Sequence, residues 1–277
     1  MKNGHGRLTP AFCLAFSTLF SSALIGADAH AQIGDGVTAP AETPAPAGPA
    51  LTANASIVSQ YVSRGVRQTW DKPAVQAGVD YVHPSGWSAG TWVSTISDRF
   101  VEKGTVEWDL YGGYSGAVGD IGYSALAYYY KYPRAVISAT GTKFDYAELS
   151  GGLTYKALYA KYNYTVTRDF FGITNARGTG YLDVGANHEL ADGWTLNLHG
   201  GDGRVAGTGN DIWNWRDGKV GVTRTLGGGW SAAIAYTRAW GRTDIYKTYT
   251  TGVAKNGVIG YSDVTRGALV AAVTRTF

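Results

Sequence analysis

The residues best suited to catalysis in this 277-residue sequence are three histidines beyond the N-terminal segment. His83 abuts a predicted turn, and His188 lies on the apolar side of a predicted strand. His199 alternates with polar residues and faces the other side of its strand. A serine hydrolase would need a serine beside such a histidine, and the spacing singles none out. The sequence therefore predicts no catalytic residue and no enzyme.

Metal, phosphate and thiol chemistry are not indicated either. The segments 201–203 and 207–211 are rich in Gly, Asp and Asn, but they lack the spacing of an EF-hand loop. No predicted helix follows them that could hold a phosphate at its N-terminus. Cys13 is the one cysteine of the sequence, and it lies in a segment expected to be removed. We therefore expect no metal and no cofactor.

Charged residues recur at alternate positions of the predicted strands, on the side that also carries Asn and Gln. Successive side chains of a strand point to opposite faces, so these residues should share one face. Two interpretations of this face remain open. The charged side chains could pair with one another and fill the interior, or they could line a polar channel. The predicted pore-lining residues are Arg64, Asp80, Glu107, Asp109, Glu148, Lys161, Asp183, Lys219 and Arg266, and Glu189 shares their side. Six carboxylates against four cations predict a negative lumen.

The elements that would position these residues are short strands. Gly makes up 39 residues, aromatic residues 13% and charged residues only 16%, a composition that favours strands and turns over long helices. Alternation of apolar and polar residues predicts twelve strands. Their approximate bounds are 51–64, 72–83, 87–97, 105–116, 121–132, 143–154, 158–168, 180–190, 194–204, 213–226, 230–241 and 263–277.

The connections alternate strictly between tight turns, such as 84–86 and 191–193, and long loops, the longest being 242–262. This sorting of loops is typical of outer-membrane barrels, which have short periplasmic turns and long extracellular loops. Strand lengths of about 9 to 11 residues suit a tilted crossing of a bilayer. We therefore predict an all-β fold, a transmembrane antiparallel up-and-down β-barrel of about twelve strands.

Aromatic residues mark the expected membrane boundary. Trp87, Trp194 and Trp230 each follow a tight turn directly, at the level of an interfacial girdle. The competing interpretation is that they are core residues of a soluble fold.

The chain ends in an alternating strand with Phe277 at its terminus, which resembles the signal that barrel-assembly machinery recognises, although Arg275 departs from the usual pattern.

The N-terminal residues predict export. Lys2 and Arg7 precede an apolar run, and Ala29-His30-Ala31 supplies a small-x-small cleavage pattern. We expect residues 1–31 to be a cleaved signal peptide, 32–50 an Ala/Pro-rich disordered linker, and 51–277 the barrel.

Parts of the sequence resemble the TorF-like family of outer-membrane porins. The likeness is carried by Ser63-Arg64-Gly65, by segments 72–81 and 90–92, by Glu107-Trp108-Asp109-Leu110-Tyr111-Gly112-Gly113-Tyr114 and by the terminal Thr-Arg-Thr-Phe. It covers most of the chain after Leu51 and implies a Gram-negative outer-membrane barrel described as a channel.

The expected function is a channel for passive diffusion of small hydrophilic solutes or ions in the Gram-negative outer membrane. The alternatives are a plugged structural or surface-interaction barrel that acts through its extracellular loops and, less favoured, an outer-membrane enzyme. The expected partners are outer-membrane lipid and lipopolysaccharide, the barrel-assembly machinery and the solutes. The formal net charge is only +3 and no block of five or six Lys and Arg occurs, so we expect no nucleic acid.

Overall fold

Period-two alternation gives the chain twelve long strands, which the computed structural model describes within residues 48–277. The predicted signal peptide and most of the predicted linker lie outside the described residues. The strands are β1 Ala50–Val58, β2 Val62–Ser63, β3 Val66–Arg67, β4 Ala74–Val82, β5 Trp87–Thr95, β6 Val106–Val118, β7 Ile121–Lys131, β8 Tyr146–Tyr155, β9 Leu158–Thr165, β10 Gly180–Ala191, β11 Trp194–Arg204, β12 Trp215–Gly227, β13 Trp230–Gly241, β14 Ala254–Lys255, β15 Val258–Ile259 and β16 Ala268–Thr276.

Twelve of these strands form one closed antiparallel barrel, with β2–β3 and β14–β15 as small separate hairpins. Each barrel strand pairs with its neighbours along the chain, and β1 closes the sheet by pairing with β16, for example Asn54 with Thr276. Closure pairs the backbone of every barrel strand on both sides and leaves no sheet edge. The predicted all-β barrel of twelve antiparallel strands is confirmed.

Short turns and long connections lie at opposite ends of the barrel. The turns 83–86, 119–120, 156–157, 192–193 and 228–229 form what we call the short-turn rim, where β1 begins and β16 ends. Gly119 and Gly193 have φ values of 61° and 71°, a conformation that tight hairpin turns require. The long connections 59–73, 96–105, 132–145, 166–179, 205–214 and 242–267 form the long-loop rim.

The two faces of the sheet differ in polarity. The outer face exposes large apolar side chains, and the inner face carries buried polar and charged ones. This is the reverse of a soluble barrel and matches barrels that sit in lipid. Exposed apolar residues include Val75, Val79, Leu149, Leu153, Leu158, Leu182, Val220, Ile234 and Leu269.

Aromatic side chains lie on the outer face at the short-turn rim. Trp87, Trp194 and Trp230 are all exposed, so they are not core residues of the barrel. The Arg224 guanidinium lies 5.3 Å from the Trp194 ring centroid, and Arg275 lies 5.5 Å from that of Trp230. Such pairs combine an apolar body with a cationic end, as expected of side chains at a membrane interface.

At the long-loop rim the connections pack on one another. The Phe171 ring contacts those of Phe100, Tyr132 and Phe144. Phe100 also contacts Tyr249, and Tyr132 contacts Phe144, and the ring centroids of all these pairs are 5.1 to 6.4 Å apart. Burial raises the pKa of Tyr249, whose hydroxyl donates to the Phe100 carbonyl at 2.7 Å. The described residues also contain two short 3-10 helices, and none of their helices is long and apolar enough to cross a membrane.

The first and last barrel strands are shorter than predicted. The first ends at Val58 rather than at residue 64, because the chain leaves the wall and forms a separate hairpin. The last begins at Ala268 rather than at residue 263, because Asp263 instead forms a turn. Its Oδ1 accepts hydrogen bonds from the Thr265 amide and hydroxyl at 2.9 and 2.8 Å, a local interaction that competes with the strand.

Candidate functional site in the barrel lumen

The connection from β1 to β4, residues 59–73, folds into the barrel and is called the lumenal hairpin below. Its strands β2 and β3 are joined by Arg64 and Gly65, whose φ values are 48° and 75°. Two successive positive φ values are typical of the type I′ turn of a two-residue hairpin. Val62 and Arg67 are almost completely buried. The interior of the barrel is therefore occupied by the chain's own first long connection.

The tip of the lumenal hairpin contacts the wall of β12 and β13. A Cβ atom added to Gly65 would lie 2.4 Å from Asp217 Cβ and 2.8 Å from Ala239 Cβ. Both separations are shorter than van der Waals contact, so a side chain at Gly65 would displace the tip. Glycine is required here by the close approach as well as by its positive φ.

Arg64 connects the hairpin to three strands of the wall. Its guanidinium donates two hydrogen bonds to the Glu148 carboxylate on β8, at 3.0 and 2.6 Å. The guanidinium carbon also lies 4.6 Å from the Tyr181 ring centroid on β10, within cation–π range. The Arg64 carbonyl accepts a hydrogen bond from Trp215 Nε1 on β12 at 3.0 Å. A bidentate pair of this kind fixes both distance and orientation.

The base of the hairpin is held by the segment before β16. Arg67 donates to Asp71, to Ser262 Oγ at 2.9 Å and to the Asp263 carbonyl at 2.7 Å. Its amide also donates to the Val264 carbonyl at 2.9 Å. Burial and the nearby positive charge of Arg266 lower the pKa of Arg67 to about 10. The hairpin is thus attached both at its tip and at its base.

Three buried carboxylates line the wall of β6 and β8 beside the hairpin. Glu107, Asp109 and Glu148 are each at most 3% exposed. One oxygen of Glu107 and both oxygens of Asp109 have no hydrogen-bond partner among the described residues. Arg64 interacts electrostatically with all three carboxylates. Carboxylates therefore outnumber the cation at this wall by three to one.

A stack of tyrosines continues this wall. The ring centroids of Tyr128 and Tyr130 are 6.0 Å apart, and those of Tyr130 and Tyr146 are 4.4 Å apart, with the planes 16° from parallel in both pairs. All three rings are buried. Their flat faces give the acidic wall a rigid aromatic surface.

His199 forms a polar cluster on the neighbouring part of the wall, strands β9 to β12. Its Nδ1 lies 2.9 Å from Asp183 Oδ1, and its Nε2 lies 2.7 Å from Asp217 Oδ2. Lys161 Nζ is 3.4 Å from the second Asp183 oxygen, and the Tyr181 hydroxyl donates to Asp217 Oδ1 at 2.9 Å. Carboxylates only accept, so each imidazole nitrogen acts as a donor in this geometry. This cluster and the hairpin share Tyr181 and Asp217.

Inward-facing side chains near the short-turn rim are mostly less buried than those near the long-loop rim. Lys219 faces the interior on β12 and lines a cavity of about 20 Å³ together with Tyr159, Asn187 and Asn197, which is room for roughly one water molecule. Asn197 donates to Asn187 at 2.9 Å and accepts from Thr223 at 2.8 Å. Leu198, Ile234 and Ala235 complete the lining of this cavity, and Lys219 is its one charged residue.

Three further predicted residues, Asp80, Arg64 and Phe277, lie in different parts of the barrel. Asp80 faces the interior on β4 and accepts a hydrogen bond from the Tyr111 hydroxyl. Arg64 belongs to the lumenal hairpin and not to a barrel strand. Phe277 is exposed at the short-turn rim, where its amide donates to the Ala53 carbonyl at 2.8 Å and the Arg275 guanidinium lies 5.3 Å from its ring centroid.

Arg266 does not line the lumen, which corrects its predicted position. It precedes β16 at the long-loop rim, is more than half exposed and pairs with Asp71 at 2.7 Å. The prediction extended the alternation of the last strand through the turn at Asp263 and so assigned Arg266 to the inner face of that strand. The strand begins only at Ala268, so Arg266 lies outside it.

The chain matches a family described as a bacterial protein of unknown function, Gcw_chp, over residues 42–277. The chain belongs to this family. The match includes the whole barrel and the lumenal hairpin. No curated protein sequence shows a significant match to the chain.

Two solved porin structures are similar to this Gcw_chp chain over most of its length. The KdgM porin superposes with a TM-score of 0.50 at 7% identity, covering 82% of this chain and 99% of that one. The NanC porin gives a TM-score of 0.48 at 11% identity, covering 82% and 99%. At 7% identity the KdgM match shows that the two barrels share a fold and shows nothing about the solute.

Asp217, Tyr181 and Trp215 are site residues that the sequence did not single out. Asp217 has the same inward parity as Lys219 on its strand, so the alternation could have identified it. Trp215 meets Arg64 across 151 positions of sequence, and no local pattern signals that contact. Within residues 48–277 no group of three or more His, Cys, Asp and Glu side chains could hold a metal ion.

Proposed function

We propose that this protein is an outer-membrane channel through which small hydrophilic solutes or ions diffuse passively. The observation that carries the proposal is a closed barrel whose outer face is apolar and whose inner face carries charged groups. Lipid favours such an exterior, and water and ions favour such an interior. The resemblance to the TorF-like family and the likeness of the barrel to that of the KdgM porin support the same function. We assign the protein no catalytic activity.

The proposed location is the outer membrane of a Gram-negative cell, reached through a cleaved signal peptide. The short-turn rim then faces the periplasm and the long-loop rim faces the exterior. Outer-membrane lipid and lipopolysaccharide surround the apolar face. Barrel-assembly machinery inserts the chain, for which we propose Phe277 as the recognised terminal residue.

A second candidate function is favoured by the lumenal hairpin. Because the hairpin is attached at its tip to Glu148 and at its base to Val264, it could close the barrel completely. The protein would then be a plugged structural or surface-interaction barrel that acts through its extracellular loops. The two functions differ in whether the resting barrel conducts.

Single-channel recording of refolded full-length protein in planar bilayers tests the proposal. We expect small, steady conductance steps from the native chain, and larger ones when residues 60–72 are replaced by a short Gly-Ser linker. A silent native chain with a conducting linker variant would support the plugged barrel. If both proteins are silent although their barrels are folded, the channel function is wrong.

A further inference from the structure

A cluster of arginines lies on the outer face of the barrel at the long-loop rim. Three of them point away from the lumen: Arg204 on β11, Arg216 on β12 and Arg238 on β13. Together with Asp202 and Trp240 they form what we call the rim arginine patch. Arg204 Nη2 and Arg216 Nε donate to the same Asp202 oxygen at 2.8 and 2.9 Å. Their side chains are nevertheless 57% and 70% exposed. Donor groups of both guanidiniums therefore face the surroundings.

The register places the members of the patch side by side. Asp202 pairs with Arg216, which pairs with Trp240, so these residues form one row across three strands. The Arg238 guanidinium lies 5.6 Å from the Trp240 ring centroid. The three guanidiniums thus converge on one area of the outer face.

A strip without side chains lies next to this row, on the side away from the rim. Gly200 pairs with Gly218, which pairs with Arg238. A Cβ atom at Gly200 would approach no other atom more closely than 4.0 Å, and one at Gly218 would come no closer than 3.7 Å. The two glycines therefore leave a shallow notch in the apolar face, next to Arg238 and below Asp202 and Arg216.

The charge of the patch is not balanced by its own residues. Arg204 and Arg216 share the single carboxylate of Asp202, and Arg238 contacts the Trp240 ring instead. By contrast Lys131, at the same rim on β7, pairs one-to-one with Asp145 at 2.5 Å. Excess positive charge at the boundary of an apolar face favours an anionic partner at the same depth. Guanidinium groups bind phosphate through paired hydrogen bonds.

We propose that the rim arginine patch binds a phosphate group of lipopolysaccharide in the outer leaflet, with the adjoining part of the lipid in the Gly200–Gly218 notch. The level of the patch is that of the headgroups above an apolar band. This site rests on the proposed outer-membrane location of the barrel, but it does not require that the barrel conducts.

The binding of purified lipid A to the refolded full-length protein in detergent tests this site. The probes are diphosphorylated lipid A, the same lipid after removal of its phosphates, and inorganic phosphate. We expect the first to bind most tightly and the triple variant Arg204→Gln/Arg216→Gln/Arg238→Gln to bind it about tenfold more weakly or worse. The control variant Lys156→Gln/Arg224→Gln removes two cations at the opposite rim and should bind as the native chain does.

Two results would overturn the proposal. One is equal binding of the native chain and the triple variant, and the other is equal binding of phosphorylated and dephosphorylated lipid. The shift in gel mobility between heated and unheated samples verifies that each variant is folded, since all five substituted residues lie on the outer surface or at a turn. Conductance of the same samples is recorded separately, so failure of the lipid site and failure of the channel function are distinguishable.

Discussion

At the scale of single residues, the ion pair of Arg64 with Glu148 holds the hairpin tip. Replacing one partner removes this buried, bidentate ion pair, at a cost of about 3 kcal/mol. We therefore expect Arg64→Met and Glu148→Gln each to lower the free energy of unfolding by about this amount, and the double variant to lose less than the sum. Urea unfolding in lipid vesicles measures all three. Strict additivity would show that the two side chains do not interact in the membrane.

His199 separates two buried carboxylates, and its replacement should expose their repulsion. We expect His199→Gln to lower the free energy of unfolding by about 3 kcal/mol, because Asp183 and Asp217 then lose a shared donor. His188→Gln is the matched control, since His188 is exposed on the neighbouring strand. The midpoint of thermal unfolding, followed by the gel-mobility shift, compares them. Similar midpoints would exclude a stabilising role for the cluster.

Phe277 is exposed and contributes little packing, so its proposed role concerns assembly and not stability. Removing it should lower the amount of folded barrel in cells while refolding in detergent stays nearly intact. The ratio of these two yields is the measurement. An unchanged yield in cells would contradict the proposed recognition of the terminal residue.

At the scale of elements, the lumenal hairpin decides how much of the barrel is open. Gly65→Ala places a methyl group against Asp217 and Ala239 and also strains a positive φ, so we expect the tip to detach and the conductance to rise. Gly119→Ala is a matched control. Gly119 has a φ of 61° but no atom within 4 Å of the added Cβ, so it introduces the backbone strain of about 1 kcal/mol without the clash. Equal conductance of the two variants would show that the tip does not narrow the pore.

The strands were predictable from sequence, whereas the path of the hairpin was not. Alternation and the sorting of connections depend on local spacing, and they locate β4 through β13 to within a few residues. The alternation also continues beyond Val58 into β2 of the small hairpin, so the predicted first strand is too long. Whether a connection enters the lumen depends on contacts such as that of Gly65 with Asp217, which no period in the sequence encodes.

At the scale of the whole molecule, carboxylates outnumber cations in the lumen. Arg266 leaves the four predicted cations and the buried Arg67 of the lumenal hairpin joins them, so four remain, and Asp217 joins the six predicted carboxylates to give seven. His199 adds at most one positive charge. The acidic groups are concentrated toward the long-loop rim, where the lumenal hairpin also narrows the interior. An ion that enters at the long-loop rim would therefore meet the negative wall beside the lumenal hairpin.

This arrangement predicts a weak preference for cations. Charges in a confined pore are screened less than surface charges, so the preference should be largest at low salt and fade as the salt concentration rises. Reversal potentials across a KCl gradient measure it. The variant Glu107→Gln/Asp109→Asn should lower the ratio of cation to anion permeability by about half or more, given that these are two of the three carboxylates at the wall.

A control for this experiment removes carboxylates that lie outside the lumen. Asp169 is held by Arg168 at 2.9 Å in the loop after β9, and this contact lowers its pKa, so it is ionised throughout the usual pH range. Asp169→Asn with Asp211→Asn therefore removes the same charge as the lumenal variant but from the long-loop rim. If the two variants change the permeability ratio equally, the selectivity arises from the surface potential of the loops. An anion preference of the native chain would mean that the buried carboxylates of β6 are not charged in the conducting state.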